Sequence, residues 1–545
     1  MTALLYQPSH WSPTSLTRKP SSFLPTDRFR NYNLSHSLHT TLDRVNVLGD
    51  DDEYGHKGCV NALSWARDGE LLLTAGDDTT VRIWRMDSTD IDQAYPFVCR
   101  SVVNTDHRAN IFNAHMLPYS SRIVTAAGDK QIRIFDVGTA ITTAPDGIET
   151  QYNPRQVGVQ ILRCHEDRVK RIVTEDSPDL FLSVGEDGLV RQHDLRAPPH
   201  NCRNGTCPAP LMKVGHGLST LSLSPLTPYQ FVVAGESPYG YLFDRRHSGR
   251  VLKEEWGMVA RAGEELTTCV RRFARPPKDP AENGTRRRDH ITGSRMSASN
   301  GHEVLLTYSG DGVYLFSTRD EAQSADSFAA QTPSAVPANS KRCKSEAARK
   351  QGDGPPQTAA DATYEGTESD DGDGDDEEME AFIEFEDLSG ADESMCKPGM
   401  PAIMPRRRYD GARNVATIKD VNFLGPNDEL IASGSDDGNF FLWDKASGAL
   451  CGIYEADSSV VNVIEAHPHL PLVAVSGIDT TVKLFAPSHG PSAFSRMDNA
   501  QQIIETNARL SKTRSVRYNF SALLAEARAA MGAEDVDIPA GCTNQ

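Results

Sequence analysis

Residues 71–84 read LLLTAGDDTTVRIW, and residues 473–485 read VAVSGIDTTVKLF. Each stretch is an apolar run that narrows to small residues, then an acidic turn, then an alternating run ending on an aromatic. An apolar run closing on Ala, Gly or Ser suits a strand covered on both faces, and alternation suits a strand with one covered face. Asp or Gly between them makes the tight turn, because Asp hydrogen-bonds its own backbone and Gly tolerates positive φ. The pattern recurs with constant internal spacing. An aromatic or His stands six positions after an Asp in Asp78–Trp84, Asp129–Phe135, Asp187–His193, Asp437–Trp443 and Asp479–Phe485, and two further segments, Ser237–Phe243 and Gly310–Phe316, fit loosely. Repetition at this period predicts small sheets arranged around an axis.

Upstream of several segments stands a His, at His56, His107, His165 and His216, followed by one more strand-like run. The whole resembles the WD-repeat signature, with Gly55-His56, Gly215-His216 and one WD dipeptide at Trp443-Asp444. The resemblance implies a hydrogen-bonded structural set in each blade, which in the first would be His56, Thr74, Asp78 and Trp84. Such residues build the fold and are no sign of catalysis. The expected fold is therefore all-β, a seven-bladed WD40 β-propeller with a long disordered acidic insertion and a C-terminal helix. TLDRVNVL, ahead of the first blade, is expected to supply the outer strand of the last one and so remove the open edge.

The expected divisions are a disordered leader at 1–33, blades one to five at 34–318, the acidic insertion at 319–408, blades six and seven at 409–488, and a helical tail at 489–545. The formal net charge is -19, and Glu365 to Glu393 alone holds fifteen acidic residues without Lys or Arg, so the rest of the chain is nearly neutral. That stretch is too rich in Ser, Pro, Gly and acids to bury a core. A basic, Pro-containing stretch, Arg275 to Arg295, is expected to interrupt the fifth blade. Leu34, Leu38, Leu42 and Val45 read as one stripe of a helix, and Phe520, Leu523, Leu524, Ala527 and Met531 as another.

The ten cysteines have no regular spacing, which reads as reduced thiols in the nucleus and cytoplasm. No apolar run approaches the roughly 20 residues of a membrane span, so no membrane partner is expected. The sequence has no GxxxxGK[ST], GxSxG or HExxH motif. Cys202 and Cys207 near His193 and His200 have the wrong spacing for a zinc ribbon, so no metal, no cofactor and no enzymatic activity are expected.

Two segments end alike: Phe181–Arg196 is FLSVGEDGLVRQHDLR and Phe231–Arg246 is FVVAGESPYGYLFDRR. Both finish Asp-x-Arg, placing Asp194, Arg196, Asp244 and Arg246 just past the third strand of adjacent blades. A guanidinium there suits bidentate contact with carboxylates or carbonyls of a docked protein; alternatively it braces the next loop.

With Asp106–Phe112 (DHRANIF), Asp167–Arg171 (DRVKR), Glu186–Arg196 and Val460–Asn462, the chain resembles the cullin-4-associated WD-repeat substrate receptors of the WD and tetratricopeptide-repeat protein 1 and nuclear-receptor-interacting type. That resemblance implies that Asp194, Arg196, Asp244 and Arg246, with the helix bearing Leu34, Leu38 and Leu42, contact the adaptor damaged-DNA-binding protein 1 and through it the cullin-4 ligase. An unknown protein substrate would occupy the other face, and nucleic acid is not an expected partner. His193 and Phe243 stand where the family's WDxR motif has Trp, and no tetratricopeptide repeats are visible. The competing expectation is a WD40 scaffold of a chromatin or ribosome-assembly complex whose acidic loop binds basic clients.

Overall fold

The computed structural model describes residues 25–50, 55–87, 94–138, 150–197, 209–248, 267–276, 290–322, 401–488 and 490–512. Their strands form seven sheets, each built on four antiparallel strands, with a short fifth strand laid parallel on two of them. Blade 1 runs through Val60–Ala66, Leu71–Gly76, Thr80–Met86 and Phe97–Asn104; blade 2 through Ile111–Met116, Arg122–Ala127, Ile132–Asp136 and Val159–Leu162; blade 3 through Val169–Thr174, Leu180–Gly185, Leu189–Asp194 and Met212–Lys213. Blade 4 comprises Leu218–Leu223, Gln230–Gly235, Gly240–Ser248 and Thr267–Phe273; blade 5 Ile291–Met296, Glu303–Tyr308, Val313–Ser317 and Arg407–Tyr409; blade 6 Val421–Leu424, Leu430–Gly434, Asn439–Asp444 and Leu450–Glu455. Blade 7 takes Val461–Ala466, Val473–Gly477 and Val482–Pro487 from the end of the propeller and its outer strand, Leu42–Leu48, from the start. The chain is a seven-bladed β-propeller, closed as its sequence anticipates.

Antiparallel order fixes the two faces of the disc. First and third strands run the same way, so first-to-second turns and third-to-fourth connections lie on one face, here the lower, and the remaining loops lie on the upper. The second strands are the apolar runs: LLLTAG of blade 1 is buried along its whole length. Neighbouring blades share core clusters, as where Leu72 and Trp84 of blade 1 pack with Leu472, Leu484 and the closing strand's Leu48.

Four expectations change. The stripe through Leu34, Leu38, Leu42 and Val45 is two elements: helix α1 spans Pro25–Leu38, and Leu42 already lies in the closing strand. Residues 402–403 and 407–409, inside the expected 319–408 insertion, are strands, the first laid parallel on blade 4 and the second forming the outer strand of blade 5. The long insertion therefore departs from and returns to blade 5 itself, on the lower face. The basic stretch joins blades 4 and 5, and Arg295 is already in the first strand of blade 5. Helix α2 is Ala500–Lys512, held on blade 6 by Ile503 and Ile504; the stripe at Phe520–Met531 lies outside the described residues, as do Glu365–Glu393, Cys202, Cys207 and His200.

Candidate docking site on the lower face

The repeat residues account for the scaffold. In blade 1 His56 bonds Asp78 through Nδ1 (2.9 Å) and Thr74 through Nε2 (2.7 Å), and Trp84 donates to the same Thr74 hydroxyl at 2.9 Å. Blade 2 repeats the first two links with His107, Asp129 and Thr125. In blade 3 His193 replaces Trp yet completes the relay: Ser183 Oγ lies 2.8 Å from both His165 Nε2 and His193 Nε2, while His165 holds Asp187 at 2.9 Å. Blades 6 and 7 lack the His. There Trp443 donates to the Asp410 carbonyl, Asp437 accepts from Asn507 of α2, and Asp479 pairs with Lys483.

The Asp-x-Arg endings close blades 3 and 4 on the lower face with one geometry used twice. Asp194 Oδ1 accepts from Arg196 N (3.0 Å) and Nε (2.9 Å), and Oδ2 accepts from Nη2 (2.8 Å). Asp244 holds Arg246 through the same three donors, at 3.0, 3.0 and 2.7 Å. Both guanidiniums stay in solvent, with side chains 63% and 61% exposed. The Arg196 fork holds the Asp194 carboxyl down at about 2. At Asp244 burial pushes the other way, and the Arg246 fork still brings the carboxyl below its ordinary range.

This geometry corrects one expectation and answers one alternative. The Nε edge that suits a carboxylate bidentately is already used within the chain, so Arg196 and Arg246 are preformed ion pairs. Arg246 is further fixed by the Tyr229 ring, 3.6 Å beneath its guanidinium. Both arginines thus hold the turn that ends their own blade, as the bracing alternative has it, and neither bridges to a neighbouring blade. Arg245 does that, bonding Glu175 of blade 3 at 2.9 and 3.0 Å, and Arg122 does it from blade 2 to Asp179 at 2.6 Å.

Leu34, Leu38 and Leu42 do not face outward. They are 7%, 4% and 0% exposed, in the core shared by blades 6 and 7, so Leu34 and Leu38 seat α1 and Leu42 seats the closing strand, and none of the three presents a surface for docking. The outer face of α1 instead shows Phe29 and Tyr32, and two lower-face turns show Tyr119 and Leu226, at 61, 66, 83 and 56% exposure. Tyr119 also sits at a φ of 55°, a conformation that costs an L-residue about 1 kcal/mol. Sequence reading missed all four. Their signal was a large apolar side chain at a turn or on a polar helix face, where solvent normally selects polar residues.

The WD domain, G-beta repeat model matches residues 52–85 and 407–444, which hold the tetrad of blade 1 and the third strand of blade 6. The chain carries WD40 repeats. Among curated proteins this WD40 propeller is similar to the WD repeat protein iqw1 of Schizosaccharomyces pombe, at 36% identity over 50% of the chain and 32% of that protein. It is similar to the DDB1- and CUL4-associated factor 6 of Homo sapiens at 30% identity, over 49% of the chain and 27% of that protein. The WD and tetratricopeptide repeats protein 1 of Homo sapiens matches at 24% identity over 82% of the chain and 86% of its own length. The first two matches thus span about a third of the relatives they fall on.

Proposed function

We propose that this WD40 propeller is a non-catalytic substrate receptor that joins target proteins to a cullin-4 ubiquitin ligase through damaged-DNA-binding protein 1. The observation that carries the reading is the duplicated Asp-x-Arg fork on adjacent blades, preformed and with both arginines exposed. A preorganised fork loses little rotamer freedom on docking, which favours it as an interface anchor. The name of one similar protein, DDB1- and CUL4-associated factor 6, supports the choice of partner. Exposed Phe29, Tyr32, Tyr119 and Leu226 on the same face add the apolar and aromatic area that anchors usually need. Ubiquitin transfer would gain from raised effective concentration of a target held on the upper face, with no chemistry by this chain.

The test is affinity purification of the chain carrying Arg196→Ala with Arg246→Ala. Adaptor and cullin should be lost. The exposed Arg196 fork contributes little to stability, whereas Asp244 is 2% exposed and loses its partner with Arg246. A retained cooperative melt is therefore the control for the double variant, and Arg196→Ala alone, at an unchanged melting temperature, should already weaken capture. Retained adaptor would refute the assigned face. Deleting residues 323–400 separates this reading from the scaffold alternative: a receptor keeps its adaptor, whereas a scaffold for basic clients loses them.

A further inference from the structure

The innermost strands leave a cavity of about 230 Å³ on the propeller axis, room for several waters at ~30 Å³ each and ample for a ligand of amino-acid size. Its wall is divided by charge. Blades 2, 3 and 5 contribute His115, Arg171 and Arg295, and blades 6 and 7 contribute Asp420 and Glu465. Two ion pairs cross the axis, Arg171 with Asp420 and Arg295 with Glu465, the latter at 3.2 Å. His115 has no hydrogen-bond partner among the described residues. Enclosure, with Arg295 and then Arg171 nearby, pushes its imidazole down to about 4, so it is neutral and keeps one donor unused. Arg171 and Asp420 also line a smaller hollow at the upper mouth, so their pair forms the partition between that hollow and the axial cavity.

We propose that the axial cavity binds a small amphoteric ligand, one bearing a carboxylate and, some ångströms away, an ammonium or guanidinium group. The carboxylate would lie between Arg295, Arg171 and His115, and the cation against Glu465 and Asp420. The two pairs supply both signs of charge, and exchange of ion pairs keeps the largely buried Arg171, Asp420 and Glu465 compensated, which a simple anion or a simple cation does not do. His115 gains the acceptor it lacks. Two sources share this chemistry, a free basic amino acid and a basic residue at the carboxyl end of a peptide. The inference stands apart from the adaptor reading, since the cavity uses none of the lower-face forks.

The experiment is calorimetry on the full chain with L-lysine, L-arginine, a short peptide ending in lysine with a free or an amidated terminus, acetate and butylamine. Saturable binding of an amphoteric probe is expected, weakened at least about tenfold by Glu465→Gln and by His115→Ala. Glu465→Gln is close to isosteric and keeps its acceptor for Asn422, so its folding can be checked by melting temperature. Tighter binding of the free-terminus peptide than of lysine assigns the ligand to a chain end, and the reverse order assigns it to a free amino acid. Equal binding of acetate or butylamine would overturn the proposal, as would millimolar lysine, arginine and peptide all giving no heat.

Discussion

Ser183 shows what a single repeat residue does. It is fully buried and shared by two imidazoles, one of them stacked on Phe181 at 4.7 Å. Ser183→Ala removes the hydroxyl that both imidazoles share and should cost about 1–3 kcal/mol, read as a lower denaturation midpoint. The histidines also set an acid limit. His467 accepts from the His469 and Leu470 amides through Nδ1 and donates to the Gly69 carbonyl through Nε2; burial, against the pull of the Gly69 bond, keeps it neutral down to about 4. His115 behaves likewise. Because the unfolded chain protonates both near 6.5 and the folded chain near 4, the unfolded state binds more protons between those values, and stability falls as pH drops through that window. Melting scans from pH 7 to 4.5 should show the decline, on the order of 3 kcal/mol per imidazole, and His115→Gln should flatten it. The tetrads were legible because their spacing is constant. The forks' internal Asp–Arg closure was not, since a sequence places Asp194 two before Arg196 without saying which partner the guanidinium prefers.

At the scale of elements, α1 and the closing strand were read as one because Leu34, Leu38 and Leu42 continue a helical spacing across the break at residues 39–41. The physical boundary is the turn in which the Ser37 carbonyl accepts from Thr40 Oγ1 at 2.6 Å. A helix stripe and a strand edge that both end in the core of blades 6 and 7 need not share a period. Phe29→Ser with Tyr32→Ser should leave stability unchanged and weaken adaptor capture about tenfold or more, measured by titration against purified adaptor. Helix α2 hid for the opposite reason, since its apolar face is only Ile503, Ile504 and a few smaller residues. Its anchor is polar: Asn507 donates to the Gly411 carbonyl at 2.9 Å and to Asp437 at 2.7 Å. Asn507→Ala should release α2 to proteolysis while the propeller still melts cooperatively.

Across the whole molecule, the repeat count and ring closure were readable because every blade must solve the same packing problem, and the buried third-strand aromatic recurs as Trp84, Phe135, Phe243, Phe316, Trp443 and Phe485. The site of the long insertion was not, because only three residues, Arg407–Tyr409, complete blade 5 after it, and a three-residue strand carries no pattern to read. The ring's joint lies between Leu42 and Pro487 at one end and Leu48 and Val482 at the other. On a ribosome adding about 5–20 residues per second, the closing strand waits for a mate that is made only after all the intervening blades. For tens of seconds the nascent chain is an open stack with a bare strand edge, the geometry that invites wrong pairing. Any truncated translation product lacking residues 482–487 would keep that edge permanently, and such fragments should be the ones that chaperones hold and proteases clear.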